Sequence, residues 1–160
     1  MICALRLNAA NLNNLKYPVS MIFTRMTMTL EKNVLISLLK LTRTGPVSRA
    51  FFTKAARIPN DAAKEALAKF ANMSLFDEHG DIIEASPRQR VKMSVYALTL
   101  GSDVERVCSL LSWAEFEMIA GQAFETNDYR VVRNLHFTQG TNRWELDVLG
   151  IRKPLIICAD

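Results

Sequence analysis

The chain has 160 residues, 49% of them hydrophobic and 22% charged, with six Gly and five Pro. That balance excludes a disordered or fibrous chain, and the length admits one large domain or two small ones. The formal net charge is +4, but the halves differ in sign: residues 1–90 hold thirteen Lys/Arg against seven Asp/Glu, and residues 91–160 hold seven against nine. Cys3, Cys108 and Cys158 lie far apart without a CxxC spacing, which suggests neither a zinc knuckle nor a disulfide framework and makes a reducing cytoplasm the expected location. The longest apolar run, residues 34–41, is interrupted by Ser37 and Lys40, so no membrane partner is expected.

Residues 1–28 carry Arg6, Lys16 and Arg25 around an Asn-rich stretch, with no continuous hydrophobic region or cleavage site. They read as an arm, or as an extension upstream of a start at Met26 or Met28. From Leu30 the apolar residues Leu30, Val34, Leu38 and Leu41 recur at helical spacing until Gly45-Pro46. Ser48 caps a second helix with Phe51, Phe52 and Ala55 inward, and Pro59 stops it. Asn60 caps a third, with Ala63, Leu67, Phe70 and Met73 inward. Two β-prone runs, 74–76 and 82–85, flank an Asp77-Glu-His-Gly80 turn and predict a hairpin.

Helix, helix, helix, hairpin resembles the winged helix-turn-helix DNA-binding domain over residues 29–86. The resemblance implies that the third helix enters the major groove with Lys64 and Lys69 outward. Between Lys32 and Asn60 the chain holds Lys40, Arg43, Arg49, Lys54 and Arg57 without an intervening acid, the charge pattern that suits a phosphate backbone. The competing reading of this run is a solvated helix face. Asp77, Glu78, Asp81 and Glu84 make the expected wing acidic, which suits protein contact better than phosphate contact.

Residues 87–112 read as a helical linker. Ser86-Pro87 opens one helix that runs to Gly101, Ser102 and Glu105 suggest a capping box for the next, and Ser112 with Glu115 suggests another. The helix from Trp113 is followed by apolar runs at 129–137, 143–149 and 155–160, which predicts a helix and three strands over residues 113–160. Glu115 serves its cap. Glu117 shares a face with Trp113, Ala120 and Phe124, where an isolated carboxylate is costly unless a cation is near. Asp147 and Asp160 stand in or at the end of strands, which Asp disfavours. Each acid taken singly reads as a rim or strand-end charge. Together they form a set of hard oxygen donors suited to Mg²⁺ or Mn²⁺.

Glu117 on a helix, the first strand Tyr129-Arg-Val-Val-Arg, Glu145-Leu-Asp147 and then Asp160 thirteen residues later resemble the PD-(D/E)XK nuclease core. The nearest flavour is that of archaeal Holliday-junction resolvases and type IV restriction-like endonucleases. The resemblance implies that Glu117, Asp147 and Asp160 are catalytic metal ligands, activating water against a DNA phosphodiester. Glu145 takes the place of the motif's proline. The motif's Lys falls beyond Asp160, and Lys153 in the preceding loop is a weak substitute. The expected architecture is therefore α+β: a winged helix-turn-helix, a helical linker and a partial restriction-endonuclease-like α/β core at 113–160.

The expected function is that of a DNA-binding protein of the metal-dependent endonuclease superfamily, weak or inactive as this chain. Its partners are duplex or branched DNA and a second copy in a homodimer. The alternative is a non-catalytic winged-helix regulator, or an assembly module whose C-terminal part serves dimerisation. No Gly-rich phosphate loop supports a nucleotide-binding enzyme. His79 and His136 have no Ser or Cys partner nearby in sequence.

Overall fold

A computed structural model describes residues 19–159, with side chains described over 27–158. The fold is mixed α+β, with six helices and two three-stranded antiparallel sheets among the described residues. Helix α1 (Val19–Leu41) leads through a 3₁₀ turn to β1 (Val47–Ser48), α2 (Arg49–Ala56), α3 (Asn60–Asn72) and the hairpin β2 (Asp77–His79) and β3 (Ile82–Glu84). The first sheet has the order β1-β3-β2, with Val47 opposite Ile83 and Glu78 opposite Ile83 on its other side. Helix α1 begins well upstream of Leu30. Residues 19–28 of the predicted arm therefore belong to a continuous helix, and the rest of that arm lies outside the described residues.

The core lies where α1, α2, α3 and the first sheet converge. Val34, Leu35, Leu38 and Leu39 of α1 pack with Phe52, Leu67, Phe70, Phe76 and Ile83, all essentially inaccessible to water. Three expected inward residues face out instead: Phe51 is 56% exposed, Met73 41%, and Ala55 is exposed as well. The reason is geometric. Helix α2 spans about two turns and presents Phe52, with half-buried Ala56 four residues on, to the bundle; its neighbours turn away.

Ser48 accepts from the Phe51 N–H as predicted, but Asn60 is not a cap: Pro59 holds that place, and its carbonyl accepts the Ala63 N–H at 2.9 Å. The hairpin turn is also tighter than expected. Asp77, Glu78 and His79 lie in β2 itself, and Gly80-Asp81 make the turn, with Gly80 at a positive φ of 63°.

After the hairpin, α4 (Pro87–Thr99) opens with a Ser86/Gln89 capping box, and Gly101 adopts φ 78° past its end. The expected Ser102/Glu105 box does not form. Asp103 caps the short helix α5 (Val104–Cys108) through the Arg106 N–H, and Ser102 Oγ is buried with no hydrogen-bond partner. Helix α6 (Trp113–Thr126) does carry its predicted Ser112/Glu115 box.

Glu115 has a second role that the sequence does not reveal. Arg90 of α4, 3% exposed, donates from Nε to Glu115 Oε1 at 2.6 Å, from Nη1 to Leu39 O and Thr42 Oγ1, and from Nη2 to Leu110 O and, at 3.4 Å, Glu115 Oε2. One guanidinium thus ties the end of α1 to α4, to the turn before α6 and to α6 itself. Leu39 O is among the last carbonyls of α1, which have no partner within the helix.

The second sheet is the meander β4 (Arg130–Gln139), β5 (Asn142–Arg152) and β6 (Leu155–Ala159), with α6 packed on it. The approach is close at Gly150, where a Cβ would stand 2.9 Å from the Phe124 ring. No helix among the described residues is long and apolar enough to cross a membrane.

Candidate nucleic-acid interface

Helices α2 and α3 enclose a surface groove of about 680 Å³. Ala50, Thr53, Lys54 and Arg57 reach it from α2 and the residue after it, at the i, i+3, i+4, i+7 spacing of one helix face; Asn60, Lys64 and Leu67 reach it from α3. Arg49, Ile58 and Asp81 complete the lining. Arg57 adopts a left-handed conformation (φ 54°, ψ 38°) as the C-cap of α2, ending that helix at the groove. Ile58 and Leu67 are buried, so the floor is apolar while the rim is cationic.

Of the seven predicted DNA-binding residues, the groove brings together Arg49, Lys54, Arg57 and Lys64 and leaves out three. Lys40 is exposed on α1, and Arg43 donates to Ser109 O at 3.3 Å. Lys69 is bound 2.6 Å from Glu31 Oε1, and that hydrogen bond holds its ammonium above the usual lysine value. Glu31 is 8% exposed and also faces the Tyr96 hydroxyl, so Lys69 balances a buried acid of α1. Sequence reasoning missed Thr53 and Asn60, polar groups of the groove, and Asp81, its one carboxylate. The helical spacing of residues 50, 53, 54 and 57 is the signal that could have found the first of these.

The predicted acids lie elsewhere. Asp147 on β5 is half-buried, and its Oδ2 accepts the Trp113 indole N–H at 3.2 Å. Trp113 stacks on Phe116 with centroids 5.9 Å apart, and Glu117, one turn beyond Trp113 and half-buried, shares its side of α6. Among the described residues no ion pair reaches Glu117, so none of them supplies the cation expected beside it.

The β4–β5 ladder skips one pair between Arg133↔Val148 and Leu135↔Leu146; there Asn134, at φ 51°, stands across from Asp147. The register is the same on either side, so the interruption is confined to this one pair. Asp160 lies outside the described residues, and among those described no group of three His, Cys, Asp or Glu side chains is placed to hold a metal ion. Glu117 and Asp147 have the hard oxygens that Mg²⁺ or Mn²⁺ prefers, but one Asp147 oxygen is committed to the indole. Lys153 is exposed in the β5–β6 turn, Glu145 is exposed on β5, and His136 stands 3.8 Å from Glu145 across the ladder.

Comparison with protein-family models, with curated proteins and with solved structures finds no match to this chain.

Proposed function

We propose that the chain binds duplex DNA through the α2–α3 groove and that residues 29–86 act as a winged helix-turn-helix. The observation that carries this is the convergence of Arg49, Lys54, Arg57 and Lys64 on one groove whose lining holds a single acid, Asp81. Four cations on a concave rim suit successive phosphates, and Thr53 and Asn60 add neutral hydrogen-bonding groups between them. The element order, three helices and then a hairpin that pairs with β1 in the sheet β1-β3-β2, supports the same reading. Asp77, Glu78, Asp81 and Glu84 of the hairpin are all exposed, and as carboxylates they bind no phosphate themselves, although Asp81 lines the groove.

The test is to map the contact. Amide NMR shifts on adding a short DNA duplex should concentrate at residues 49–64 and at Asp81. Shifts confined to the 130–159 sheet would overturn the assignment.

A second reading concerns the C-terminal unit as a metal-dependent phosphodiesterase site, with Glu117, Asp147 and Asp160 holding Mg²⁺ or Mn²⁺. The break in the β4–β5 ladder opposite Asp147 favours it, because backbone irregularity costs stability and gathers at sites where a side chain must be aimed. A bound divalent ion would supply Lewis acidity to a phosphate. The chain's own part is the Trp113 N–H, which fixes the Asp147 carboxylate. In the same reading a second copy joins at β6, where Leu155, Ile156 and Ile157 are 40–63% exposed on an edge strand.

A further inference from the structure

One of the four groove cations is already engaged. Arg49 lines the groove, yet its Nη2 lies 2.8 Å from Glu78 Oε1 on β2. The backbone fixes both ends of this pair. Glu78 stands opposite Ile83, Ile83 stands opposite Val47, and the Arg49 N–H donates to Asp81 O at 2.7 Å. Hairpin and α2 therefore cannot part without breaking the three-stranded sheet, and the ion pair forms with little further ordering of the chain. The two side chains are 35% and 29% exposed, so water and salt screen them less than a fully exposed pair.

We infer that Glu78 is an intramolecular competitor for the groove: it holds the Arg49 guanidinium and so withholds it from an entering phosphate. The inference builds on the nucleic-acid reading and adds that the chain's own hairpin holds the affinity down. Carboxylate and phosphate recruit a guanidinium by the same charge-assisted hydrogen bonds, so the two anions cannot both use the same N–H groups. With Glu78 in place the groove offers Lys54, Arg57 and Lys64 to a phosphate backbone. With that carboxylate neutralised it offers Arg49 as well.

Two consequences follow for the binding equilibrium. One additional phosphate contact steepens the log–log salt dependence by about 0.9. Release from a partly exposed ion pair tightens binding by up to about fivefold.

The experiment is a double-mutant cycle read by fluorescence anisotropy with a short labelled DNA duplex across a salt series. It uses wild type, Glu78→Gln, Arg49→Ala and the double variant, with Lys54→Ala/Lys64→Ala in parallel. Glu78→Gln should tighten binding and steepen the slope in the wild-type background, and do neither in the Arg49→Ala background. Equal tightening in both backgrounds would mean a general charge effect and overturns the competitor role, as does no tightening at all. If Lys54→Ala/Lys64→Ala binds as well as wild type, the groove itself is not the interface and the underlying reading falls too. If that variant weakens binding while Glu78→Gln is inert, only the competitor role falls.

Discussion

Arg90 and Glu115, twenty-five residues apart and each about 4% exposed at the side chain, form the one ion pair among the described residues that is closed to water on both sides. It joins the N-terminal bundle to the helix that carries the second sheet. A pair of this kind adds little over an apolar pair of the same shape, but losing one partner leaves a buried charge alone. Arg90→Met should therefore cost about 3–5 kcal/mol, and Arg90→Met/Glu115→Leu should recover much of it. Urea denaturation of the two single variants and the double variant measures the coupling. Additive losses would contradict it.

The same pair makes stability depend on acid. Burial raises the Glu115 carboxyl, but the hydrogen bonds from Arg90 and from the Ser112 backbone outweigh that and hold it below the usual glutamate value. Its contribution is thus complete above the unfolded value of about 4.3 and is lost as pH falls through the folded one. Urea midpoints taken downward from neutral pH should drop in this acid range, and Glu115→Gln should flatten part of the drop. Identical pH profiles for the two proteins would exclude Glu115 as a source of it.

Lys69 and Arg43 separate structural from binding cations. Both are among the cations that the sequence assigns to DNA, Arg43 in the basic run and Lys69 on the third helix, but Lys69 serves Glu31 and Arg43 serves Ser109 O. Lys69→Ala and Arg43→Ala should leave the affinity for duplex DNA within about twofold of wild type, since rim charges outside an interface contribute little. Lys69→Ala should still lower the urea midpoint, because Glu31 loses its partner. Anisotropy and denaturation on the same preparations give both readouts, and a tenfold loss of affinity would place Lys69 in the interface.

Local signals explain most of what the sequence revealed. Ser48, Ser86 and Ser112 each accept a backbone N–H three residues on, as their positions before helices suggest, and Gly101 takes the positive φ expected past the end of α4. The order of three helices and a hairpin was legible for the same reason, because caps and turns act over a few residues, whereas β1, whose partner β3 lies about thirty-five residues away, was not. Partners distant in sequence were not legible. Nothing near Arg90 announces Leu39 O or Glu115, and nothing near Lys69 announces Glu31, thirty-eight residues away. The groove was half legible: its cations stand out as a charge run, but which of them converge depends on how α2 and α3 cross. Ser102 illustrates a local rule overtaken by its neighbour, since Asp103 stands one residue closer to α5 and takes the cap.

The groove claim is tested most directly by the salt dependence of duplex affinity in wild type and in Lys54→Ala/Arg57→Ala/Lys64→Ala. All three residues are exposed, so the fold should survive, as a far-UV circular dichroism melt would verify. Each lost phosphate contact removes about 0.9 from the log–log slope, so the triple variant should bind more weakly with a slope shallower by about 2.7. An unchanged affinity and an unchanged slope would contradict the account.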